Sequence, residues 1–352
     1  MQAEKSYPTA YGQKANSPGT LFQNSQKRTI HKRTLMHETS KMHSKPLLLT
    51  TTAEVKEWRR SLESTANQLG AECPKIGFVP TMGALHRGHA ALLRKARAQC
   101  QISVLSIFVN PTQFSPHEDL DCYPRSLEND LQIAAAEGVD IVFAPTPEQL
   151  YPAGYSTFIE ETHLSLPFCG PFRPGHFRGV TTIVLKLFNL IRPHLALFGL
   201  KDAQQFFVLK QMVQDLNLDV KIAGMETVRE PDGLALSSRN IYLSPEDRER
   251  APLLYKVLQQ VKATLKLPLL GLQTYPQAVT QTLDAARNTL TQNGFNVQYL
   301  DCLRLRHFDC IDANTNALES QIIAVAAFLG KTRLTRLIDN ILTRDLGPNT
   351  SQ

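Results

Sequence analysis

Residues Lys75 to Leu93 read KIGFVPTMGALHRGHAALL, and expectations for the rest of the chain grow from them. Ile76 to Val79 is a short apolar run of the kind a buried strand carries. Pro80 has no N–H to donate, so the ladder is expected to stop there. Gly83 supplies a turn, and a helical pattern begins near Gly88, with Leu92 and Leu93 apolar. Two histidines stand between strand and helix as His86-x-Gly88-His89. A helix N-terminus offers unpaired N–H groups and the positive end of its dipole, and both suit phosphate oxygens. Gly88 has no Cβ, so a nucleotide could come close to the backbone. Two imidazoles can donate hydrogen bonds to phosphate oxygens as charge builds during transfer. Two unrelated surface histidines are the plain alternative. Their position at the C-terminal end of a strand, where α/β sheets hold ligands, favours a nucleotide site.

Strands and helices alternate on either side of this unit. Thr52 to Leu69 is expected to be helical, with Val55, Trp58, Leu62 and Leu69 at helical spacing. Ile102 to Val109 reads as a strand covered on both faces. Ser126 is a candidate N-cap for a helix ending at Gly138, and Val139 to Phe143 is a third strand. A loop rich in Pro and Gly runs from Pro145 to about His176, long enough to be functional or to hide short structure. A helix bearing Val180, Ile183, Val184, Leu187 and Ile191 stops at Pro193. Strands at Leu195 to Phe198 and Val220 to Ala223 flank a helix through Phe206, Leu209 and Val213. The pattern implies a parallel sheet with right-handed crossovers.

After Val228 the pattern changes. Arg229 to Gly233 is turn chemistry, and Ser244-Pro245-Glu-Asp247 is a capping box with Pro at the first helical position. Helices over about 246–265 and 275–293 precede strands at Val297–Leu303 and Ile322–Leu329. The expected fold is therefore α/β: a Rossmann-like parallel-sheet domain over 47–227, then a smaller α+β C-terminal domain over 228–345.

The chain has 352 residues, 42% hydrophobic and 20% charged, with a net charge of +6. Eight basic and two acidic residues fall in 1–46, and 38 − 8 and 32 − 2 leave 30 of each sign elsewhere. A nucleic-acid binder is expected to carry its excess on the folded part, so nucleic acid is not an expected partner. The tail over 1–46, rich in Ser, Thr, Gln and Asn, is expected to be disordered. It is also basic and acid-poor, which leaves mitochondrial import as an alternative to a cytoplasmic protein. Glu4, Pro8 and Pro18 interrupt any amphipathic helix near its start, and Met36 and Met42 could serve as later starts. No run of about 18 apolar residues suggests a membrane span. The six cysteines show no CxxC pair, which fits a reducing compartment.

Four further segments fall where a ligand at the sheet's C-terminal edge would meet them. Gln113, in Asn110-Pro-Thr-Gln, both donates and accepts, as a substrate with hydroxyls and a carboxylate requires. Arg173 and Arg178 lie in a stretch that closes the long loop and could pair with phosphate or carboxylate. Lys201 could neutralise phosphate charge, and Asp202 could cap a helix or bind a nucleotide hydroxyl or metal-bound water. Ser237, Ser238 and Arg239 join hydroxyls to a guanidinium, a set suited to a triphosphate. Turn residues, caps and surface ion pairs remain the plain reading of each alone. No HExxH or paired-Cys pattern suggests a protein-ligated metal, so Mg²⁺ is expected to arrive on the nucleotide. No GxSxG elbow is present. The set favours transfer stabilised electrostatically, without a covalent enzyme intermediate.

Taken together, FVPTMGALHRGH, FVNPTQF, RPGHFRGV, FGLKDAQQ, TVREPDGLALSSRNIYL and TRLIDN resemble the pantothenate synthetase (pantoate–β-alanine ligase) family, of the HxGH nucleotidyltransferase superfamily. The resemblance covers about residues 76–340 and implies a cytoplasmic, homodimeric enzyme of coenzyme A biosynthesis. It implies that pantoate's carboxylate attacks the α-phosphorus of ATP, and that β-alanine then displaces AMP from pantoyl adenylate. His86, His89, Lys201, Ser237, Ser238 and Arg239 are then the expected catalytic residues, with His89 the proton donor. The expected nucleotide contacts add Pro80, Thr81, Met82, Gly83, Gly199, Asp202, Val228 and Leu236. Gln113, Gln205, Asn110 and Arg173 are the expected pantoate contacts. Leu200 stands where the family commonly has Glu, and Leu236 where it commonly has Met. Both are expected to alter packing and leave activity intact. The repeated Thr-Arg-Leu near the end could shift the last strand.

Two rival functions remain. Another HxGH enzyme could stop at nucleotidyl transfer onto a phosphate ester, but such a substrate would call for cations where Gln113 and Gln205 stand. An idle binding protein on the same fold would not need the charged and imidazole positions, all of which are intact.

Overall fold

Leu47–Leu49 (β1), Ile76–Thr81 (β2), Ile102–Ile107 (β3), Ile141–Phe143 (β4), Leu195–Gly199 (β5) and Lys221–Met225 (β6) form a parallel sheet in the order β1-β4-β3-β2-β5-β6. The computed structural model describes residues 45–344 apart from 116–117, 119, 268–273, 313–314, 316–318 and 332. Most of the expected basic tail lies outside the described residues. From β2 the chain builds outward through β3 and β4, then restarts at β5 on the other side. The gap between the ends of β2 and β5 is thus the topological switch point where such sheets hold ligands.

β2 does not stop at Pro80, as its missing N–H suggested. It continues to Thr81, with Pro80 opposite Ser106 and Thr81 opposite Ile107 of β3. The alternation of the strand explains this. Lys75 and Thr81 bond toward β3, whereas Ile76 bonds toward the β5 side through His194. Pro80 shares the parity of Ile76, so its missing donor faces β5. Pairing there is confined to Gly77 with Leu195 and Phe78 with Ala196. The proline therefore costs no ladder bond, and the two strands part where a ligand would enter.

The helices cover both faces of this sheet. They are α1 (Thr52–Gln68), α2 (Arg87–Gln99), α3 (Leu127–Ala136), the single turn α4 (Pro147–Leu150), α5 (His176–Ile191) and α6 (Ala203–Asp215). Val55, Trp58, Ile183, Leu187, Leu209 and Met212 from α1, α5 and α6 meet Ile76, Phe78 and Val104 on one face. Leu92, Leu93 and Ala96 of α2 and Ala134 of α3 meet Val79, Leu105 and Leu197 on the other. A Cβ on Gly77 would lie 3.1 Å from the Ala96 carbonyl oxygen, so this glycine lets α2 sit close to β2. α5 begins at His176, a turn before the apolar pattern that announced it. β1 was not anticipated: three leucines are too few to show a period, and pairing with β4 fixes them.

The smaller sheet is antiparallel, in the order β7 (Asn296–Arg304), β8 (Gln321–Leu329), β9 (Thr335–Leu342). Its core is closed by α8 (Leu253–Leu265) and α9 (Tyr275–Gln292). The single helix expected over 246–265 is two, because α7 (Pro245–Arg250) ends ahead of Pro252. Ser244 caps α7 by accepting the Asp247 N–H, as its sequence indicated. A fourth apolar cluster joins the two sheets, with Phe168, Phe177 and Val208 against Leu303, Phe308 and Ile322.

Candidate active site

α2 opens with the two histidines wound into its cap. The Nδ1 of His86 accepts the Gly88 N–H at 3.1 Å, and the Nδ1 of His89 accepts the His86 N–H at 3.2 Å. Each ring is thereby fixed as the tautomer with its proton on Nε2. The rings lie 4.1 Å apart between centroids. Burial first, and then the Lys201 ammonium, push His86 down to about 4. Burial and the neighbouring His86 push His89 down to about 3. Both imidazoles are therefore neutral at pH 7 and present Nε2–H donors. This refines the expectation of open backbone donors, since the histidines themselves occupy the N–H groups of His86 and Gly88. Gly88 likewise makes room for an imidazole: a Cβ there would lie 2.9 Å from the His86 Cε1.

The turn before the histidines is held from α3. Asp130, 1% exposed, accepts the Ala84 N–H at 3.0 Å and the Leu85 N–H at 2.7 Å. Burial raises the Asp130 pKa, and those two donors partly offset it. Ala84 has a φ of 50° and Gly83 one of 84°. A Cβ on Gly83 would lie 2.8 Å from the Asp130 Oδ2, so the glycine is needed for both its backbone conformation and its closeness to the carboxylate. The Thr81 hydroxyl accepts from Gly83 N–H and donates to the Ser106 carbonyl at 2.7 Å.

Across the switch point, β5 ends at Gly199 and a 3₁₀ turn carries Leu200, Lys201 and Asp202. Lys201 and Asp202 form an ion pair at 3.6 Å. The Asp202 carboxyl sits deep in the cleft yet keeps about half of its surface accessible to it, 47%. Burial alone would raise its pKa, but Lys201 and Arg239 outweigh that and lower it. Leu200 packs against the large core, and a Cβ on Gly224 would lie 2.7 Å from its Cδ2. The leucine at this position is thus accommodated by a neighbouring glycine.

The third wall is the turn after β3. Asn110, 1% exposed, donates from Nδ2 to the Gly179 carbonyl and to the Gln113 Oε1, each at 3.1 Å. A Cβ on Gly179 would lie 2.4 Å from the Thr112 carbonyl oxygen. This explains the glycine in RPGHFRGV, which lets α5 press against the turn. Arg173 does not line the main cleft. Its guanidinium takes both carboxylate oxygens of Glu118, at 2.5 and 2.6 Å, and donates to the Gln113 carbonyl at 3.3 Å. Buried His176 bridges Arg173 Nη1 at 3.1 Å and the Gln113 carbonyl at 2.8 Å. Burial and the Arg173 charge push it down to about 3. Arg178 lies over the Phe158 ring at 4.0 Å, away from the cleft.

The last wall is a hairpin. Arg229 bridges to Ala235, and the Leu236 N–H donates to the Val228 carbonyl at 3.0 Å. Ser237 follows and caps a 3₁₀ turn over Ser238–Tyr242 by accepting the Arg239 N–H. Tyr123 comes from the loop after β3, its hydroxyl 3.3 Å from the Ser238 Oγ and its ring 5.7 Å from the Arg239 Cζ. Arg87, between the two histidines, pairs with Glu230 of the hairpin.

These walls enclose one cleft of about 230 Å³. Its lining includes Pro80, Thr81, Met82, His86, His89, Asn110, Gln113, Gly199, Lys201, Asp202, Gln205, Val228, Leu236, Ser237, Ser238 and Arg239. Of the expected site residues, Gly83 and Arg173 stay outside it; Gly83 shapes the turn, and Arg173 lines a smaller adjoining cavity of about 50 Å³. The lining also includes Tyr123 and Glu226, which were not expected, and an apolar wall of Phe108, Val180, Ile183, Val184 and Leu187. The helical period had already marked Val180 to Leu187 as buried, without showing that they face a cavity. Among the described residues, no group of three or more His, Cys, Asp and Glu could hold a metal. None of the described helices is long and apolar enough to cross a membrane.

A parallel sheet with an HxGH cap at its switch point, facing lysine and arginine across a cleft, defines an α/β nucleotide-dependent enzyme. A sequence profile described as pantoate-beta-alanine ligase matches residues 48–342. The chain is 49% identical over 267 residues to a pantothenate synthetase of Thermotoga neapolitana, covering 76% of this chain and 91% of that one. It is 46% identical over 266 residues to a pantothenate synthetase of Geobacter sulfurreducens, covering 75% and 89%. The crystal structure of pantothenate synthetase from Thermus thermophilus superposes with a TM-score of 0.71 at 39% identity, covering 85% of this chain and 100% of that one. A pantoate-beta-alanine ligase from Francisella tularensis, solved with Beta-gamma ATP and beta-alanine, superposes with a TM-score of 0.68 at 34% identity, covering 86% and 99%. The chain belongs to the pantoate–β-alanine ligase family.

Proposed function

We infer that this protein condenses pantoate with β-alanine, driven by ATP, to give pantothenate, AMP and pyrophosphate through pantoyl adenylate. In the first step a pantoate carboxylate oxygen bonds to the α-phosphorus and the bond to the β-phosphate oxygen breaks. In the second, the uncharged amine of β-alanine attacks the acyl carbon, AMP departs with the C–O bond's electrons, and the proton that nitrogen sheds passes to solvent. The observation that carries this reading is the convergence of His86, His89, Lys201 and Arg239 on one cleft that also holds two glutamines and an apolar wall.

An oxyanion attacking phosphorus needs charge neutralisation and orientation more than a strong base. The Nε2–H groups of His86 and His89 donate to phosphate oxygens, while Lys201, Ser237, Ser238 and Arg239 hold the triphosphate. Without nucleotide His89 is held neutral, at about 3, and offers its Nε2–H as a hydrogen-bond donor. The negative charge of a bound triphosphate would raise it toward the proton-donor role that the family resemblance implies. Met82, Gly199, Asp202, Val228 and Leu236 line the nucleotide. Gln113 and Gln205 grip pantoate's carboxylate and hydroxyls, with its methyl groups against Phe108 and Val180. Asn110 orients Gln113 through the 3.1 Å bond between their amides.

Asp202 and Glu226 are the carboxylates of the lining, which suits Mg²⁺ carried in on the triphosphate better than a resident ion. Bound Mg²⁺ would offset phosphate charge, with Asp202 placed to hold its waters. The reading extends to a cytoplasmic homodimer with two folding units, at 47–227 and 228–345; light scattering on the purified protein tests the dimer.

Incubating the protein with each substrate omitted in turn tests the reaction. Pyrophosphate should appear with ATP and pantoate alone, and AMP and pantothenate only once β-alanine is added. Absence of pyrophosphate, or AMP formed only with a different acid, removes the assignment. His86→Ala and Lys201→Ala should each lower turnover by about 10³-fold, the scale of a lost transition-state donor.

A further inference from the structure

The Thr335–Asn340 stretch, TRLIDN, lies on β9 and contributes nothing to the lining of the main cleft. Its last two residues nevertheless reach both cationic turns. Asn340 Nδ2 donates one hydrogen to the Leu200 carbonyl at 2.8 Å and the other to the Lys201 carbonyl at 2.9 Å. Asp339 is 3% exposed and takes Arg229 in two bonds, Nη1 to Oδ2 at 2.6 Å and Nη2 to Oδ1 at 2.9 Å. Arg229 in turn lies 3.5 Å from the Tyr255 ring centroid and donates to the Gly233 carbonyl at 3.1 Å. It opens the hairpin that delivers Ser237, Ser238 and Arg239.

Successive residues of a strand point to opposite faces. Leu337 and Asp339 are buried, Leu337 in the small core, whereas the half-buried Arg336, Ile338 and Asn340 line the adjoining cavity beside Lys201, whose edge Asp339 also reaches. A single step along β9 therefore holds two turns that leave the chain far apart. β9 is fixed by its ladder to β8, with Asp339 opposite Val325 and Asn340 opposite Ala324. The distance between the Lys201 turn and the Arg239 turn is thus referred to one rigid strand.

We propose that Asp339 and Asn340 are positioning residues that set the spacing of Lys201 and Arg239 across the triphosphate, a role that rests on the ATP-dependent reading of the cleft. Asn340 acts through the Lys201 backbone, and Asp339 acts through Arg229. Truncating Asn340 removes both of its bonds to the Leu200 and Lys201 carbonyls and lets the Lys201 turn relax, so it costs affinity only while the ammonium is present to use the position.

A double-mutant cycle isolates that dependence. The affinity of the full chain for α,β-methylene-ATP is measured by calorimetry in wild type, Asn340→Ala, Lys201→Ala and the double variant, with melting temperature and pantoate-dependent pyrophosphate release recorded alongside. Asn340→Ala should weaken binding about tenfold against the Lys201 background and by less than about twofold against Lys201→Ala. Asn340→Asp, which sets acceptors against the same carbonyls, should bind no better than Asn340→Ala. Equal losses in both backgrounds, or no loss in the first, overturn the proposal while leaving the reaction intact. Wild-type protein that neither binds the analogue nor releases pyrophosphate overturns the functional reading and the proposal with it.

Discussion

The backbone N–H of His86 donates to the Nδ1 of His89 at 3.2 Å, so the second histidine of the HxGH pattern caps the first. With His86 Nδ1 on the Gly88 N–H, the pair forms a reciprocal cap in which imidazoles replace the usual hydroxyl and carboxylate. The device settles both tautomers and leaves two neutral Nε2–H donors at the cleft mouth.

A pH dependence follows with a definite sign. His86 and His89 are depressed to about 4 and about 3, below the ordinary imidazole value of 6.5. Between about 6.5 and 3 the unfolded chain takes up protons that the native site refuses, so stability falls as pH falls through that window and is fully present above it. Urea midpoints should drop from pH 7 to pH 4.5, and His89→Gln should flatten that slope. Nitrogen-15 spectra should show neither ring titrating between pH 8 and pH 5. A midpoint near 6.5 for either ring would sink the neutral-donor mechanism.

Gly88→Ala separates the cap from the helix. Alanine raises helix propensity by about 1 kcal/mol, so the fold should survive. Its Cβ, 2.9 Å from the His86 Cε1 and 3.0 Å from the Nδ1, would turn the ring out of the cap. Pantoate-dependent pyrophosphate release should fall about 10²-fold, in line with one misplaced donor, with the melting temperature within a few degrees. A rate within a factor of about five of wild type would show that the ring position is not what matters.

The parallel sheet was legible in the sequence because its strands are covered on both faces and read as continuous apolar runs: ISVLSIFV announces β3 and LALF announces β5. The HxGH pair, Lys201 and the Ser237–Arg239 turn were legible because their charge and placement suit no core. Asp130 and Tyr123 left no such trace. An acid in the first turn of a helix looks like an ordinary dipole partner until the loop of Ala84 and Leu85 is folded against it. The Arg173–Glu118 pair left no trace for a related reason: the two lie 55 residues apart, and only the fold brings them together. Pro80 was misread because the side of the ladder that it spoils depends on strand parity, which needs the register.

Asp130→Asn tests the support beneath the histidines. The carboxylate accepts two backbone N–H groups in a buried site, and each such charge-assisted bond contributes roughly 1.5–3 kcal/mol. Asparagine keeps one acceptor and points a donor at the other N–H, so the turn with Ala84 at a φ of 50° should open. The expected result is a loss of stability of about 2 kcal/mol together with a turnover loss at least as large as that of Gly88→Ala. Asp130→Glu should restore neither, because the longer acid does not fit against Gly83. Wild-type turnover in a destabilised Asp130→Asn protein would show that the turn needs no such support.

Arg173 offers the sharpest separation between binding and bracing. A direct pantoate contact predicts that Arg173→Ala raises KM for pantoate whatever happens to Glu118. The geometry predicts otherwise, because Arg173 touches the Gln113 carbonyl and His176 and spends its charge on Glu118. Burial would lift the Glu118 pKa, but Arg173 outweighs this and keeps it low, so the pair stays charged. Removing one partner leaves the other charge buried and unpaired, which commonly costs about 3–5 kcal/mol. Arg173→Ala and Glu118→Ala should therefore each raise KM for pantoate by about tenfold through a displaced Gln113. The double variant should be no worse than either single one. Losses that multiply, with a KM increase confined to Arg173→Ala, would make Arg173 a residue that touches pantoate itself.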